Sequence, residues 1–135
     1  MIDAVGVDIA DVKRIKNALD RWGDRFVTRT FSSREAEYCR RHRDEALRFA
    51  ARFAAKEAFI KCLGSARGIR WNEIELLNDR SGKPLFRISE GIRKKLEKRN
   101  VGKIHVSISH TAEYAVAFVV FEAARETRNG STERN

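Results

Sequence analysis

The chain has 135 residues, of which 42% are hydrophobic and 35% are charged, which suits one globular domain with a buried core and excludes a disordered chain. Its formal net charge of +9 favours an acidic partner, such as a phosphate-rich ligand, a nucleic acid or an acidic protein. No apolar run approaches the roughly 18 residues of a membrane span, and the N-terminal residues lack a signal-peptide pattern, so we expect no membrane partner.

The first half of the chain predicts one strand followed by helices. Residues 4–9 are rich in Val and Ile and predict a short buried strand. An amphipathic helix is predicted over residues 11–26, with Gly23 fraying it. Ser32 is an N-cap candidate for a second helical region that extends to Leu63 and is interrupted at residues 42–44.

The second half predicts mainly strands. In chain order, the pattern predicts a loop at 64–68, strands at 73–78 and 85–88 joined by a turn at 79–84, a helix from Ser89 to about residue 98, and strands at 103–109 and 114–121. We therefore predict one α+β domain over residues 1–122, with an antiparallel sheet packed on one long helix. Residues 123–135 are polar, and we expect a disordered C-terminal tail there.

Two carboxylates are candidates for a metal site. Asp8 lies near the end of the first strand. Glu57 falls on the apolar face of the long helix, where a carboxylate is costly to bury unless it is paired or binds a cation. Taken alone, Asp8 is equally a helix N-cap or a solvated residue, and Glu57 a partner of Lys61 or Lys13. Together, in a chain without a Cys/His cluster, they suit Mg²⁺, which usually bridges to substrate phosphates.

Cationic side chains lie on the same long helix. Arg48, Arg52 and Lys56 are spaced by four residues and fall within one arc of about 80°, so they predict a basic stripe. Lys61 follows Glu57 by one turn. We expect these side chains to meet the phosphates of a ligand near the metal.

One face of the strand at 103–109 is polar, because His105, Ser107 and Ser109 alternate with apolar residues. A Ser/His hydrolase is excluded, since the GxSxG elbow is absent and no third group orients the base. Two interpretations remain: a solvated sheet face, or a polar floor that hydrogen-bonds a ligand.

The first helix carries a basic surface that includes Lys13, Arg14 and Arg21. It is either a solvated face or a docking site for an acidic partner. We expect no nucleic-acid partner, because the strands lack stacking aromatics. Two classes of function therefore compete, an enzyme and a non-catalytic basic binding module, and Glu57 favours the enzyme.

The two cysteines do not indicate a zinc site. Cys39 and Cys62 have no CxxC spacing and no nearby His. We therefore expect reduced thiols in a cytoplasmic protein.

Four segments, taken together, resemble the family of holo-(acyl-carrier-protein) synthases, the small bacterial 4′-phosphopantetheinyl transferases. They are Val-Gly-Val-Asp-Ile at 5–9, Arg-Phe-Ala-Ala-Lys-Glu-Ala at 52–58, Gly-Lys-Pro at 82–84 and Val-Ser-Ile-Ser-His-Thr at 106–111. The resemblance covers residues 1–122. It implies Mg²⁺-dependent transfer of 4′-phosphopantetheine from coenzyme A to a serine of apo acyl carrier protein, with release of adenosine 3′,5′-bisphosphate, in support of fatty acid biosynthesis. It also implies a homotrimer with active sites between protomers; Mn²⁺ is an alternative metal.

The resemblance assigns roles by position. Asp8 and Glu57 match the Mg²⁺ ligands, and Lys61 matches the lysine that stabilises or protonates the departing phosphate. Either Glu57 or a metal-bound water takes the serine proton. The coenzyme A contacts implied by the resemblance are Arg52, His105 and the loop residues Gly82, Lys83 and Pro84. We add Lys56, which belongs to the basic stripe, and Ser109, which belongs to the polar face of the strand at 103–109. Arg14 matches a carrier-protein contact, and Lys13 and Arg21 share its surface.

Three features depart from the family pattern. Asp11 stands where the family commonly has Glu, and Ala66 stands where a second loop glycine is common. The basic cluster at residues 40–43 matches no family motif. The contacts of the loop at 64–68 with pantetheine are therefore left unassigned.

Overall fold

A computed structural model describes residues 1–125, and its elements follow the predicted order with small shifts at their ends. The helices are α1 (Val12–Trp22), α2 (Asp24–Thr30), α3 (Ser33–Arg40), α4 (Glu45–Leu63) and α5 (Glu90–Lys98). The strands are β1 (Ile2–Asp11), β2 (Ile74–Asn78), β3 (Pro84–Ile88), β4 (Val101–His110) and β5 (Tyr114–Ala123). A single 3₁₀ turn, Trp71–Glu73, precedes β2.

Local chemistry sets the helix ends. Gly23 adopts φ 53°, a left-handed value that suits glycine, so the helix predicted over 11–26 is divided into α1 and α2. Ser32 and Glu35 form a capping box at the start of α3, which confirms the predicted N-cap. Asp11 caps α1, because its side chain accepts a hydrogen bond from the backbone N–H of Lys13.

The strands form two antiparallel sheets. One has the order β1-β5-β4, and the other pairs β2 with β3. The predicted α+β class with antiparallel strands is therefore confirmed, whereas a single sheet is not observed. The helix α5 lies between β3 and β4 in the chain, and these two strands are in contact although they belong to different sheets.

The long helix α4 packs on the inner face of the larger sheet and forms the centre of the core. It contacts β1 and β5 along its length. The ring of Phe59 lies 5.0 Å from that of Phe121 on β5 and 4.8 Å from that of Phe86 on β3, measured between centroids, so α4 joins both sheets. Cys39 and Cys62 are buried free thiols.

The C-terminal strand ends at Ala123, and the tail predicted to be disordered lies, from residue 126 on, outside the described residues. Among residues 1–125, no helix combines the length and apolar character needed to cross a membrane. The boundary of the domain at residue 122 stays a prediction.

Candidate active site

The approach of β1 to α4 is unusually close at Gly6. A Cβ at Gly6 would overlap the carbonyl oxygen of Ala58, so only glycine allows this packing. Asp8 lies two residues further along β1 and therefore faces α4 as Gly6 does. The glycine of the Val-Gly-Val-Asp segment thus positions the carboxylate that follows it.

Three predicted site residues meet where β1 and α4 pack together. The Nζ of Lys61 donates hydrogen bonds to the backbone oxygen of Val7, at 2.9 Å, and to Oδ1 of Asp8, at 3.3 Å. Glu57 lies one turn before Lys61 on α4 and lines the same cleft as Asp8. Since Asp11 is the cap of α1, the N-cap role considered for Asp8 is filled by another residue.

Glu57 is the carboxylate that this cleft leaves without a direct partner among the described residues. Its pKa is raised, first by burial and then by the negative charge of Asp8, while the ammonium of Lys61 opposes the shift. The alternatives considered from sequence, an ion pair with Lys61 or Lys13, are not formed in this structure. The two carboxylates therefore repel one another, and a bound cation would relieve that repulsion.

The cleft has a volume of about 420 Å³ and combines this polar end with an apolar wall. The wall is built by Ile15, Ala18, Phe26 and Phe53, which come from α1, α2 and α4. Arg14 also lines the cleft, and its side chain is exposed. A cluster of three or more possible metal ligands is absent from the described residues, so a metal here would take two protein carboxylates and complete its shell with other oxygens.

A second cleft lies on another side of α4. It is lined by Arg52, Arg48, Tyr38, Asn78, Gly82, Pro84 and His110, among others, and no carboxylate is included in its lining. Arg52 and Glu57 are five residues apart, about 140° around the helix, which explains why the two clefts open in different directions. The cationic lining favours an anionic ligand.

Only part of the coenzyme A contact set predicted from sequence meets in this second cleft, namely Arg52, Gly82 and Pro84. Lys83 is exposed in the same turn, where its backbone N–H donates to Asp79 Oδ1. Sequence reasoning missed Tyr38, Asn78 and His110 as lining residues, whereas Arg48 belongs to the predicted basic stripe. Asn78 could have been found, because it opens the turn that ends in Gly-Lys-Pro, whereas nothing near Tyr38 in the sequence indicates its position.

The structure corrects the role predicted for Lys56. We predicted that it faces ligand phosphates as part of a basic stripe, but its side chain is fully buried, with Nζ 2.6 Å from Oε1 of Glu35. The stripe exists as a helix face, and that face packs against α3 and β2 instead of solvent. Burial lowers the pKa of Lys56, and the charge and hydrogen bond of Glu35 oppose the shift.

His105 and Ser109 lie on the outer face of the larger sheet, away from both clefts. Their neighbours Ile104, Val106 and Ile108 pack on the core, so strand alternation turns His105 and Ser109 outward. His105 Nε2 lies 2.8 Å from Glu122 Oε1. Within one chain, these two residues do not meet the other predicted coenzyme A contacts.

The basic residues of α1 are exposed, as the predicted docking surface requires. Lys13, Arg14 and Arg21 all have exposed side chains, and the guanidinium of Arg21 lies 5.1 Å from the ring centroid of Trp22. In the cluster at residues 40–43, Arg40 pairs with Asp24 at 3.0 Å. That contact gives Arg40 a structural partner rather than a ligand.

Comparison with known proteins agrees with the resemblance seen in the sequence. The sequence model of the 4′-phosphopantetheinyl transferase superfamily matches residues 4–119. The holo-(acyl-carrier-protein) synthase of Halothermothrix orenii is 40% identical over 123 residues, which is 90% of this chain and 98% of that protein.

Solved structures of the same kind share the fold. The crystal structure of holo-(acyl-carrier-protein) synthase from Neisseria meningitidis has a TM-score of 0.84 and 33% identity, covering 90% of this chain and 99% of that one. A Bacillus anthracis holo-(acyl-carrier-protein) synthase, solved in complex with coenzyme A (3′,5′-ADP), has a TM-score of 0.76 and 33% identity, covering 92% and 99%. The similarity extends over the elements that form both clefts.

Proposed function

Because this chain belongs to the 4′-phosphopantetheinyl transferase superfamily, we propose that it moves 4′-phosphopantetheine from coenzyme A to a serine of apo acyl carrier protein and releases adenosine 3′,5′-bisphosphate. It is an enzyme, a phosphopantetheinyl transferase, so the competing interpretation as a non-catalytic basic binding module is set aside. The observation that carries the proposal is the meeting of Asp8 and Glu57 in one cleft, with the Nζ of Lys61 hydrogen-bonded to Asp8.

The donor set of this cleft suits Mg²⁺, with Mn²⁺ as an alternative. Asp8 and Glu57 offer carboxylate oxygens, which hard divalent cations prefer. Burial and then the charge of Asp8 raise the pKa of Glu57, and a cation would offset the second of these causes. We assign these two residues as the metal ligands. When bound, the ion neutralises charge on the pyrophosphate of coenzyme A.

Lys61 supplies a fixed positive charge beside the carboxylates. Its ammonium is half exposed, and its hydrogen bonds to Val7 and Asp8 hold it at the cleft. As the bond between the β-phosphorus and the bridging oxygen breaks, that oxygen gains negative charge, and Lys61 stabilises or protonates it. A preorganised charge of this kind lowers the barrier because it need not reorient during the reaction.

The carrier serine must lose its proton as its oxygen bonds to the β-phosphorus. Glu57 lines the cleft where this proton would be accepted, and a water held by the metal ion is the alternative base. Phe26 and Phe53 form an apolar wall in the same cleft.

The second cleft is the proposed place for the nucleotide end of coenzyme A. Arg52 is buried there without a carboxylate partner among the described residues, and Gly82 and Pro84 border it. The Bacillus anthracis relative was solved with coenzyme A, which supports this substrate for the family.

A homotrimer would account for the separation of the two clefts, since a ligand could then span two protomers. The outer face of the larger sheet supports such an assembly, because it exposes large apolar side chains: Val5, Val7, Ile9, Tyr114 and Phe118. His105 and Ser109 lie on the same face, where a neighbouring protomer could bring them to its ligand. Light scattering on the purified protein should give three times the chain mass.

The basic surface of α1, formed by Lys13, Arg14 and Arg21, is the proposed docking site for the carrier protein. Arg14 lines the catalytic cleft, so a carrier bound there would present its serine near Glu57. The net charge of +9 matches an acidic partner. With this partner the enzyme would act in fatty acid biosynthesis in the cytoplasm.

Mass spectrometry tests the reaction directly. Apo acyl carrier protein, incubated with coenzyme A, Mg²⁺ and this enzyme, should gain about 340 Da, the mass of one phosphopantetheine arm. The low-mass product should be adenosine 3′,5′-bisphosphate. An unmodified carrier in the presence of folded enzyme would contradict the proposal.

A further inference from the structure

The guanidinium of Arg52 is a buried charge that the fold leaves unbalanced. Arg52 is only 5% exposed, and its one hydrogen bond among the described residues runs from Nη2 to Oδ1 of Asn78, at 2.8 Å. Its Nε has no hydrogen-bond partner in that part of the chain. Because an unpaired buried charge is costly, the arrangement indicates a site that an anion completes.

Tyr38 fixes the plane of this guanidinium. The central carbon of the Arg52 guanidinium lies 4.1 Å from the centroid of the Tyr38 ring, a cation–π geometry. The ring of His42 packs beside Tyr38 with centroids 4.7 Å apart, and His42 Nδ1 lies 2.8 Å from the Tyr38 backbone oxygen. The aromatic platform is therefore itself held in place by the end of α3.

Asn78 holds the guanidinium through a hydrogen bond from Nη2. Its Oδ1 accepts the hydrogen bond from Arg52, and its Nδ2 donates to the backbone oxygen of Gly82 at 3.0 Å. One amide therefore joins the buried charge to the turn of the β2–β3 hairpin, which borders the same cleft. A neutral amide achieves this without cancelling the positive charge.

We propose that Tyr38 and Asn78 are positioning residues that hold the Arg52 guanidinium ready for a phosphate group of coenzyme A. The inference rests on the proposed function, and it assigns roles to two residues outside the motifs that carry the family resemblance. Arg48 and His110 line the same cleft, and Arg48 pairs with Asp44 at 3.2 Å. Because no carboxylate is included in the lining, the buried guanidinium of Arg52 favours an anion. The phosphate is either the 3′-monoester or the pyrophosphate of coenzyme A.

Calorimetric titration of coenzyme A into the full-length protein tests the platform. Tyr38→Leu removes the ring face and should raise the Kd about tenfold. Tyr38→Phe keeps the ring and loses only the hydroxyl, which has no hydrogen bond among the described residues, so its Kd should stay within about twofold of the wild type. A Tyr38→Leu protein that binds as tightly as the wild type, or a Tyr38→Phe protein as weak as Tyr38→Leu, would overturn the inference.

Asn78→Asp separates positioning from folding. The aspartate has nearly the same shape but supplies the missing counter-charge, so it should raise the Kd for coenzyme A about tenfold. The urea midpoint of unfolding should change little, because the ionic partner gained by the guanidinium offsets the hydrogen bond to the Gly82 oxygen that the aspartate cannot donate. Undiminished binding, or weaker binding with a lower midpoint, would contradict the role.

Dephospho-coenzyme A identifies the phosphate. If the Tyr38→Leu penalty disappears with this ligand, the 3′-monoester is the group held by Arg52; if the penalty persists, the pyrophosphate is that group, and either result supports the positioning role. A wild type that binds no coenzyme A would overturn the proposed function and this inference with it. A wild type that binds, with variants that bind equally well, would overturn this inference alone.

Discussion

Lys56 and Glu35 form an ion pair in the interior of the protein, with Nζ 2.6 Å from Oε1 and both side chains fully buried. The second oxygen of Glu35 accepts the backbone N–H of Leu76 at 2.9 Å, and the first also accepts that of Ser32 at 2.9 Å. One carboxylate thus joins the start of α3, the middle of α4 and the strand β2. Lys56 therefore stabilises the face of α4 that carries Arg52, and we expect no contact between Lys56 and the ligand.

Lys56→Met should lower the free energy of unfolding by about 3–5 kcal/mol, because it leaves the Glu35 carboxylate buried without its counter-charge. Urea denaturation measures this loss. Lys16→Met is the matched control, since Lys16 pairs with Asp20 at the surface and such pairs contribute about 1 kcal/mol or less. A stable Lys56→Met protein with weakened coenzyme A binding would restore the ligand role predicted from sequence.

Asp8→Ala or Glu57→Ala should abolish transfer while the fold is retained, because each removes one of two carboxylates from a cation that has few protein ligands. Circular dichroism and the mass-spectrometric assay measure the two effects. EDTA should stop the wild-type reaction, and excess Mg²⁺ should restore it. Asp20→Asn, an exposed carboxylate change on α1, serves as control, and full activity of either site variant at low-millimolar Mg²⁺ would exclude the assigned metal site.

Lys61→Ala should lower kcat by about 10²–10³ and raise the KM for coenzyme A much less, since its ammonium acts on charge that develops at the leaving oxygen. Steady-state kinetics at saturating carrier protein separates the two constants. An effect confined to KM would mean that Lys61 binds only the ground state.

Arg14→Glu should raise the KM for the carrier protein and flatten the salt dependence of that KM, because an exposed contact between opposite charges is screened by salt. The KM for coenzyme A should stay nearly unchanged. Lys94→Glu reverses the same charge at an exposed position on α5 and should leave both constants unaltered. Equal losses for both substrates would instead indicate damaged folding or assembly, and no effect would indicate a merely solvated face.

Because the thiol of Cys39 is buried, we expect the free energy of unfolding to fall at alkaline pH. Burial raises its thiol pKa from 9.0 to about 12. In the unfolded chain the thiol loses its proton near pH 9, whereas in the folded protein it stays protonated, so the folded state binds more protons and its stability falls as pH rises from about 9 to 12. Comparing urea unfolding of the wild type and Cys39→Ala at pH 8 and pH 10 isolates this contribution: the wild type should lose more stability. Equal losses would contradict the assigned pKa.

Local patterns in the sequence were sufficient for the order of the elements and for selecting two carboxylates that lie in one cleft. The capping box of Ser32 and Glu35 depends on residues three apart, and the helix break at Gly23 depends on one residue, so both could be predicted without knowledge of the fold. Asp8 and Glu57 were selected because a carboxylate next to apolar residues needs a partner, and the structure places them in one cleft.

Only the tertiary structure decided what covers each helix face. The spacing of Arg48, Arg52 and Lys56 correctly placed them on one side of α4. A helical wheel does not reveal that this side is buried and that Lys56 pairs there with Glu35, 21 residues away in the chain. The pairing of Arg52 with Tyr38 and Asn78 has the same origin, since Asn78 is 26 residues away. Periodicity reports which residues share a face, whereas the partners of Lys56 and Arg52 on that face, Glu35 and Asn78, come from elements that are distant in sequence.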